Sequence, residues 1–212
     1  MKRREHFKPV LLLILVLLGG CTKQVEHKQN STDYIPPVNQ DGFIVIKLPK
    51  TLLGSYTAEE LEAEDNASRE NLDEEELSNL AWSAVVANED GTISYYFTPE
   101  QYQKSKDGYY NLGRLRDAQS ASLLYSFVED AKYTEIDADG VPWGLTVSVT
   151  KDIYLSNELW NSALVTVSPA IMLGRYQILC GIPGDEWSVH IAVIDAASGD
   201  ILEETNFPTR DD

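Results

Sequence analysis

The chain has 212 residues, and its 34 acidic side chains outnumber the 17 basic ones to give a formal net charge of −17. A surface this negative repels nucleic acids and anionic lipid headgroups, so the composition argues against both as ligands. The length suffices for one sizeable hydrophobic core or for two small ones.

The N-terminus has the order of a secretory signal peptide. A basic start that includes Arg3 and Arg4 precedes the apolar run Val10 to Leu18, which is too short to cross a bilayer as a helix. The next residues end in Gly19-Gly20-Cys21, and a cysteine directly after two glycines resembles the lipobox of bacterial lipoproteins. We therefore predict that residues 1–20 are removed and that Cys21 is acylated, for example with palmitate. The alternative is an ordinary signal peptide with a cysteine at its cleavage site.

Removal of the signal peptide takes away four basic residues and one acidic residue, so the mature chain has a net charge near −20 (17 − 4 basic, 34 − 1 acidic). With Cys21 acylated, Cys180 is the remaining cysteine, and the sequence predicts no intrachain disulfide. Cys180 lies in the apolar stretch Ile178 to Gly181, which is typical of an inert, buried thiol.

A polar segment, residues 21–42, follows the signal peptide and contains Pro36-Pro37. It predicts a flexible tether between the lipid and a single α+β domain at residues 43–208. The domain begins with a predicted strand, Phe43 to Leu48. A capping-box pattern at Thr57 to Glu60 then starts an acidic helix. A break at Asn66 to Asn71 separates it from a second helical stretch, Asp73 to Trp82.

Three predicted β-hairpins make up much of the remaining chain, each a pair of apolar segments around a short polar turn. The turns are Asn88 to Gly91, Asp137 to Gly140 and Ala197 to Asp200. Gly91 and Gly140 are expected to supply the positive φ that such turns need. The three hairpins and the first strand predict an antiparallel sheet of up to seven strands, with helices packed on one face.

Two longer helices are predicted after the first and second hairpins, where Thr98 and Thr150 stand at the N-cap positions. The first is expected from Pro99 to Asp130, with an interruption near Asp107-Gly108. The second lies within Asp152 to Gly181, and Ser168-Pro169 is expected to break and recap it. Its apolar part is long enough to span a bilayer, but Arg175 near its middle favours a core helix.

These features together resemble a group of secreted lipoproteins of Gram-positive bacteria that have no assigned biochemical function. The resemblance covers roughly residues 43–208 and rests on turns, caps and core positions. The segments that carry it are Ile46-Lys47-Leu48-Pro49 with its acidic helix, Asn88 to Tyr95, Thr150 to Tyr154, the apolar third helix and Val193 to Phe207. It implies a lipid-anchored α+β domain on the outer face of the cytoplasmic membrane, and it supplies no catalytic residues.

An acidic run is the first candidate site. Its members lie in and between the two predicted acidic helices, and they offer a face for weak binding of divalent cations or of a basic partner. The residues are Glu59, Glu60, Glu62, Glu64, Asp73, Glu74, Glu75 and Glu76. A solvated helix surface is the favoured interpretation of this run.

A calcium loop is a second candidate, because Glu135, Asp137, Asp139 and Gly140 match the first positions of an EF-hand loop. The glutamate that such a loop needs at its twelfth position is replaced by Thr146, so a plain hairpin turn is favoured.

Catalytic patterns are weak in this sequence. His190 is the only histidine beyond the tether, and the alternation around it is typical of a residue in a sheet. No nucleophile elbow, metalloprotease helix, phosphate-binding glycine loop or zinc-type cysteine spacing occurs. The tyrosines and tryptophans predict core packing, with an exposed platform for carbohydrate or peptide as the alternative.

The sequence therefore predicts a membrane-anchored extracytoplasmic lipoprotein with a non-catalytic binding or scaffolding domain. Its partners would be the membrane, through the N-terminal lipid, and an unidentified envelope or extracellular ligand. No cofactor, no resident metal and no nucleic-acid partner are expected. The alternative is an envelope hydrolase that uses carboxylates as acid and base.

Overall fold

The computed structural model describes residues 34–113 and 126–209. The predicted signal peptide, Cys21 and most of the predicted tether lie outside the described residues. The described part divides into two compact units. Unit 1 is Pro36–Ser105, and unit 2 consists of residues 34–35 together with the chain from Lys106 onward. The range 43–208, predicted as one domain, contains nearly all of both units.

Unit 1 is built on a three-stranded antiparallel sheet in the order β1–β3–β2. Strand β1 alternates strictly between buried and exposed residues, as expected for a strand with one face on a core. In chain order the elements are β1 (Ile44–Leu48), a 3₁₀ turn (Lys50–Leu52), α1 (Ala58–Arg69), α2 (Glu74–Ser78), β2 (Ala84–Ala87) and β3 (Ile93–Phe97).

Both short helices of unit 1 begin with a complete capping box. In α1 the Thr57 hydroxyl accepts from the Glu60 N–H, and the Glu60 carboxylate accepts from the Thr57 N–H. Asp73 and Glu76 form the same reciprocal pair at the start of α2. These bonds satisfy N–H groups that a helix leaves without intrahelical partners. The predicted capping box at Thr57 is confirmed.

The break predicted at Asn66 to Asn71 begins later than expected, because α1 continues to Arg69 and the next helix begins at Glu74. The guanidinium of Arg69 binds the Asp65 carboxylate one turn earlier, and it donates to the carbonyls of Trp82 and Ser83. This contact fixes the last turn of α1 on the chain entering β2. The second helix ends at Ser78, earlier than the predicted Trp82.

Aromatic side chains fill much of the core of unit 1. Tyr95 meets Trp82 edge-on at 5.1 Å between ring centroids and stacks on Phe97 at 6.2 Å. Phe97 in turn meets Tyr102 edge-on. The hairpin β2–β3 turns at Gly91, whose φ is +74° as predicted.

Unit 2 is built on a four-stranded mixed sheet in the order β4–β5–β6–β7. The helix α3 (Pro99–Gly113) contains the boundary between the two units. The further elements are β4 (Val128–Ile136), β5 (Pro142–Val149), α4 (Lys151–Ser156), α5 (Glu158–Ser162), a π-helical turn (Ala163–Val167), α6 (Ser168–Leu179), β6 (Val189–Asp195) and β7 (Ile201–Phe207). The turn glycine Gly140 has φ +80°, again as predicted.

The crossover from β5 to β6 changes its helical type at Ser168-Pro169, where the sequence predicts a break. The π turn ends there, and the Ser168 N–H donates to the Ala163 carbonyl five residues earlier. Proline has no N–H and its ring crowds the preceding turn, so the regular i→i−4 pattern cannot continue through this position.

The apolar helix α6 lies in the core of unit 2, as predicted, and Pro169–Leu179 are all buried. Gln177, which is 0% exposed, donates to the carbonyls of Pro142 and Ser188 and accepts from the Ser188 N–H. One side chain thus ties α6 to the chain segments that begin β5 and β6. Within the described ranges, no helix is both long and apolar enough to span a bilayer.

The long helix predicted from Pro99 to Asp130 is wrong at its end. Val128 pairs with Val149 at the start of β4, and this cross-strand register outweighs the helical spacing of the apolar residues. The helix α3 also runs without interruption through Asp107 and Gly108. Residues 114–125 lie outside the described part of the chain.

The α+β class is confirmed, and helices pack on the sheets. The described residues contain seven strands, but they form two sheets instead of one. The pair β5–β6 is parallel, whereas an all-antiparallel sheet was predicted. The reason is the long helical crossover between these strands, which returns the chain to the same end of the sheet.

Candidate functional site

The candidate site lies on the partly exposed face of the four-stranded sheet, around His190. His190 stands on β6 between the buried residues Val189 and Ile191, so its ring points away from the core. In the sheet register, Thr134, Gly144, His190 and Asn206 lie side by side across the four strands.

Two carboxylates hold the imidazole ring. Nδ1 of His190 lies 2.8 Å from Oε1 of Glu135, and Nε2 lies 3.0 Å from Oε1 of Glu204. An ionised carboxylate only accepts hydrogen bonds, so both ring nitrogens carry a proton in this arrangement. The hydrogen bond that His190 donates to Glu135 raises the pKa of His190 above its ordinary value; partial burial opposes this, and Glu204 adds to the increase. The three side chains form an imidazolium between two glutamates.

The backbone of β4 and β5 makes room for this arrangement. Glu135 has φ +53° and is the one described non-glycine residue with a positive φ, a conformation that glutamate rarely adopts. Its side chain lies over Gly144, since a Cβ added there would be 3.3 Å from Glu135 Oε1 and 2.4 Å from Thr134 Oγ1. A glycine at position 144 therefore lets the Glu135 carboxylate reach across β5 to His190.

This geometry is a poor one for acid–base hydrolysis. A general base needs an unprotonated nitrogen within reach of a substrate proton, and both nitrogens of His190 face carboxylates. A hydrolytic carboxylate pair needs open space between its members for the scissile bond or a water. The imidazole occupies the space between Glu135 and Glu204.

A second polar cluster lies on the opposite face of β7. The Tyr154 hydroxyl and the Ser162 hydroxyl both donate to the Glu203 carboxylate, the latter over 2.9 Å. Burial, and then the adjacent Glu203, raise the pKa of Tyr154. The cluster joins α4 and α5 to the last strand, and it uses both oxygens of Glu203 in doing so.

The predicted acidic face is divided between two helices of unit 1. Glu59, Glu60 and Glu64 are exposed on α1 and Glu62 is half-buried there, while Asp73, Glu74, Glu75 and Glu76 are exposed at α2. Three of these residues, Glu60, Asp73 and Glu76, are engaged in capping their own helices. Cys21, the predicted lipidation site, lies outside the described residues.

In the turn considered as a calcium loop, the first aspartate forms hydrogen bonds within the hairpin. The Asp137 carboxylate accepts from the N–H groups of Asp139 and Val141 and from the indole of Trp143. Across residues 34–113 and 126–209, no three His, Cys, Asp or Glu side chains are grouped so that they could hold a metal ion.

The aromatic residues mostly pack in the two cores, as predicted. The buried members are Tyr95, Tyr102, Tyr109, Tyr154 and Trp187. Because these five side chains are covered, they cannot contribute to the exposed aromatic platform considered as the alternative.

The partners of His190 were not predicted from the sequence. Glu135 and Glu204 lie 55 and 14 residues from the histidine, and only the strand register brings them together. The nearest signal was the glutamate-rich end of the third hairpin, which places an acid on the strand beside His190.

The comparisons with known proteins indicate no function for the residues around His190. No family model matches the chain, and neither a curated protein nor a solved structure matches it significantly.

Proposed function

We propose that this chain is a bacterial lipoprotein of the outer face of the cytoplasmic membrane, and that its described part is a non-catalytic binding module. The observation that supports the non-catalytic role best is the geometry of His190. The only histidine beyond the predicted tether is held by Glu135 and Glu204 on both sides, so it lacks the free nitrogen of a catalytic base.

The other polar residues support the same proposal. Glu203 is used by Tyr154 and Ser162, and Asp137 is used by its own turn. In each case the carboxylate joins structural elements and is not presented to a substrate. The anchoring part of the proposal is supported by the signal-peptide order and by the Gly19-Gly20-Cys21 sequence.

Metabolic labelling with an alkyne fatty acid tests the proposal. The wild-type protein should carry the label and should fractionate with membranes, because acyl chains contribute about 0.8 kcal/mol per buried methylene to membrane affinity. Cys21→Ala should lose the label and should appear in the medium or as unprocessed precursor. Cys180→Ala is the matched control, because Cys180 is a cysteine buried in the core of unit 2.

An unlabelled wild-type protein would show that the anchoring proposal is wrong. Equal labelling of the wild type and of Cys21→Ala would place the lipid elsewhere on the chain.

A further inference from the structure

The strand β7 is an open edge of the four-stranded sheet. It pairs with β6 on one side, and within the described parts of the chain no other strand pairs with it. All seven of its residues are exposed or half-buried, and Ile201 at its start is 61% exposed. An unpaired strand edge presents N–H and C=O groups that can accept a further strand.

The protection of this edge relies on negative charge. Proteins usually block an open edge with lysine, proline, a bulge or an inward-pointing charge. The sequence of β7, Ile-Leu-Glu-Glu-Thr-Asn-Phe, contains no lysine, arginine or proline. It contains Glu203, which points inward, Glu204, which points outward, and a register shift opposite Val193/Ile194. The register shift affects the start of β7, and over the rest of the strand the protection is negative charge, which repels acidic strands but not basic ones.

A second copy of the chain is a poor occupant for this edge. Glu204 is the central residue of β7, so a symmetric antiparallel pair of two β7 strands would place Glu204 directly opposite its own copy. Like charges directly opposite each other destabilise a strand pair. The net charge of −17 on each chain adds a general repulsion to this local one.

A basic segment of another protein would be attracted to this edge, whereas a second copy of the chain is repelled. Glu204 is 53% exposed and uses only Oε1 to bind His190, so Oε2 can accept from a lysine or arginine on an added strand. The apolar ends of β7, Ile201 and Phe207, suit apolar residues on either side of the basic centre. Cross-strand pairs of these kinds stabilise strand pairing.

We propose that the outer edge of β7 is the docking site for an extended, basic segment of a partner protein, which adds to the sheet as a fifth strand. The inference rests on the proposal that the chain is a binding module, and it names the chemistry of the partner. Backbone hydrogen bonds along β7 supply affinity, and Glu204 selects for positive charge.

Short peptides can test this docking site on the full chain purified in detergent. The probe is a seven-residue peptide of alternating valine and lysine. The first control replaces its lysines with glutamates, and the second keeps the lysines but carries N-methyl groups on alternate residues, which prevents strand pairing. The unmodified basic peptide should bind and should slow hydrogen exchange of β7 amides. Both controls should bind at least roughly tenfold more weakly, since they lack either the charge match or the backbone bonds.

Two charge-reversal variants complete the test. Glu204→Lys should weaken binding of the basic peptide roughly tenfold, because an attraction becomes a repulsion. Glu70→Lys makes the same charge change at an exposed position of unit 1 and should leave binding nearly unchanged.

Three results would overturn the docking proposal. They are failure of the basic peptide to bind, equal binding of its N-methylated form, and exchange protection on α1 or α2 instead of β7. These readouts concern β7 alone, whereas the fatty-acid label concerns Cys21 alone. Failure of one proposal can therefore be distinguished from failure of the other.

Discussion

Two sets of side-chain contacts, one from each unit, differ in how far along the chain they reach. In unit 1 the capping boxes at Thr57 and Asp73 each close over three residues. In unit 2, Gln177 binds a carbonyl 35 residues away, and His190 and Tyr154 bind glutamates 55 and 49 residues away. Polar contacts of the first kind can be recognised from short sequence patterns. Those of the second kind exist only after the sheet has fixed its register.

The largest expected effect comes from breaking a long-range contact of unit 2. Gln177→Leu keeps the volume similar but leaves the Pro142 and Ser188 carbonyls and the Ser188 N–H without this partner. Losing the partners of buried polar groups costs about 1–3 kcal/mol for each group. We expect a loss of about 3 kcal/mol in the free energy of unfolding, measured with urea.

The matched control for this variant is Gln40→Leu, at an exposed position before β1. Its effect should stay within about 0.5 kcal/mol. Equal effects of the two variants would mean that the Gln177 contacts do not stabilise unit 2.

The same contrast explains how much could be predicted from the sequence. The three hairpins and the capping box at Thr57 depend on residues a few positions apart, and each is found as predicted. The recapping expected at Ser168-Pro169 does not occur, because α6 follows the π turn directly and no side chain caps it. The prediction also failed where distant pairing competes with local spacing. Val128 fits a helical stripe, but in the structure it pairs with Val149.

The candidate site follows the same rule. His190 was recognised as a sheet residue from the alternation around it, and its place on β6 confirms this. Glu135 reaches it only because β4 adopts a positive φ and because β5 has a glycine at position 144. Neither condition is visible in a short sequence window.

The turn glycines offer a test in which the two units should behave alike. Gly91 and Gly140 have φ of +74° and +80°, where a β-branched side chain is strained. Gly91→Val and Gly140→Val should each lower the free energy of unfolding by more than about 1 kcal/mol. An added Cβ at Gly91 would also meet the end of the Lys50 side chain, which can move away.

Asparagine tolerates the left-handed region better than valine, so Gly91→Asn and Gly140→Asn should cost clearly less than the valine variants. Thermal melts of the four variants provide the measurement. Unchanged midpoints for the valine variants would contradict the role of positive φ in both turns.

Two threonines at equivalent places, one before α3 and one before α4, allow a finer comparison of local and long-range contacts. Thr98 and Gln101 form a reciprocal capping pair at the start of α3. Thr150, which follows the next hairpin, does not cap α4 with its side chain and donates instead to Glu129, 21 residues away. Thr98→Ala should cost about 1 kcal/mol, whereas Thr150→Ala should cost only a few tenths, because an exposed hydrogen bond contributes little.

Replacement of each threonine with serine, which keeps the hydroxyl, is the matched control. Both serine variants should remain close to the wild type in urea unfolding. If Thr150→Ala lowers the free energy of unfolding more than Thr98→Ala does, the local capping pair is not the stronger of the two contacts.

A further effect, of about 1 kcal/mol at most, is expected in the dependence of stability on pH in unit 2. The hydrogen bond to Glu135, together with Glu204, raises the pKa of His190 in the folded state. This contribution is complete below the unfolded pKa of about 6.5, and it is lost as the pH rises through the folded pKa. The stability difference between the wild type and His190→Gln should therefore shrink as the pH rises above about 6.5. Its maximum should be about 1 kcal/mol or less, because the two glutamate side chains are 55% and 53% exposed.

Proton NMR titration of the His190 ring provides the direct measurement, and two glutamate variants provide its controls. Glu135→Gln and Glu204→Gln should each lower the measured pKa of His190. The effect of Glu135→Gln should be the greater, because its hydrogen bond is the larger cause of the shift. Glu62→Gln, on α1 of unit 1, changes the total charge equally and should leave that pKa nearly unchanged. If all three variants shift the pKa by the same amount, His190 responds to the overall negative charge of the chain and not to its two partners. The bonds from His190 to Glu135 and Glu204 would then position the ring without causing its raised pKa, and they would add no pH-dependent stability to unit 2.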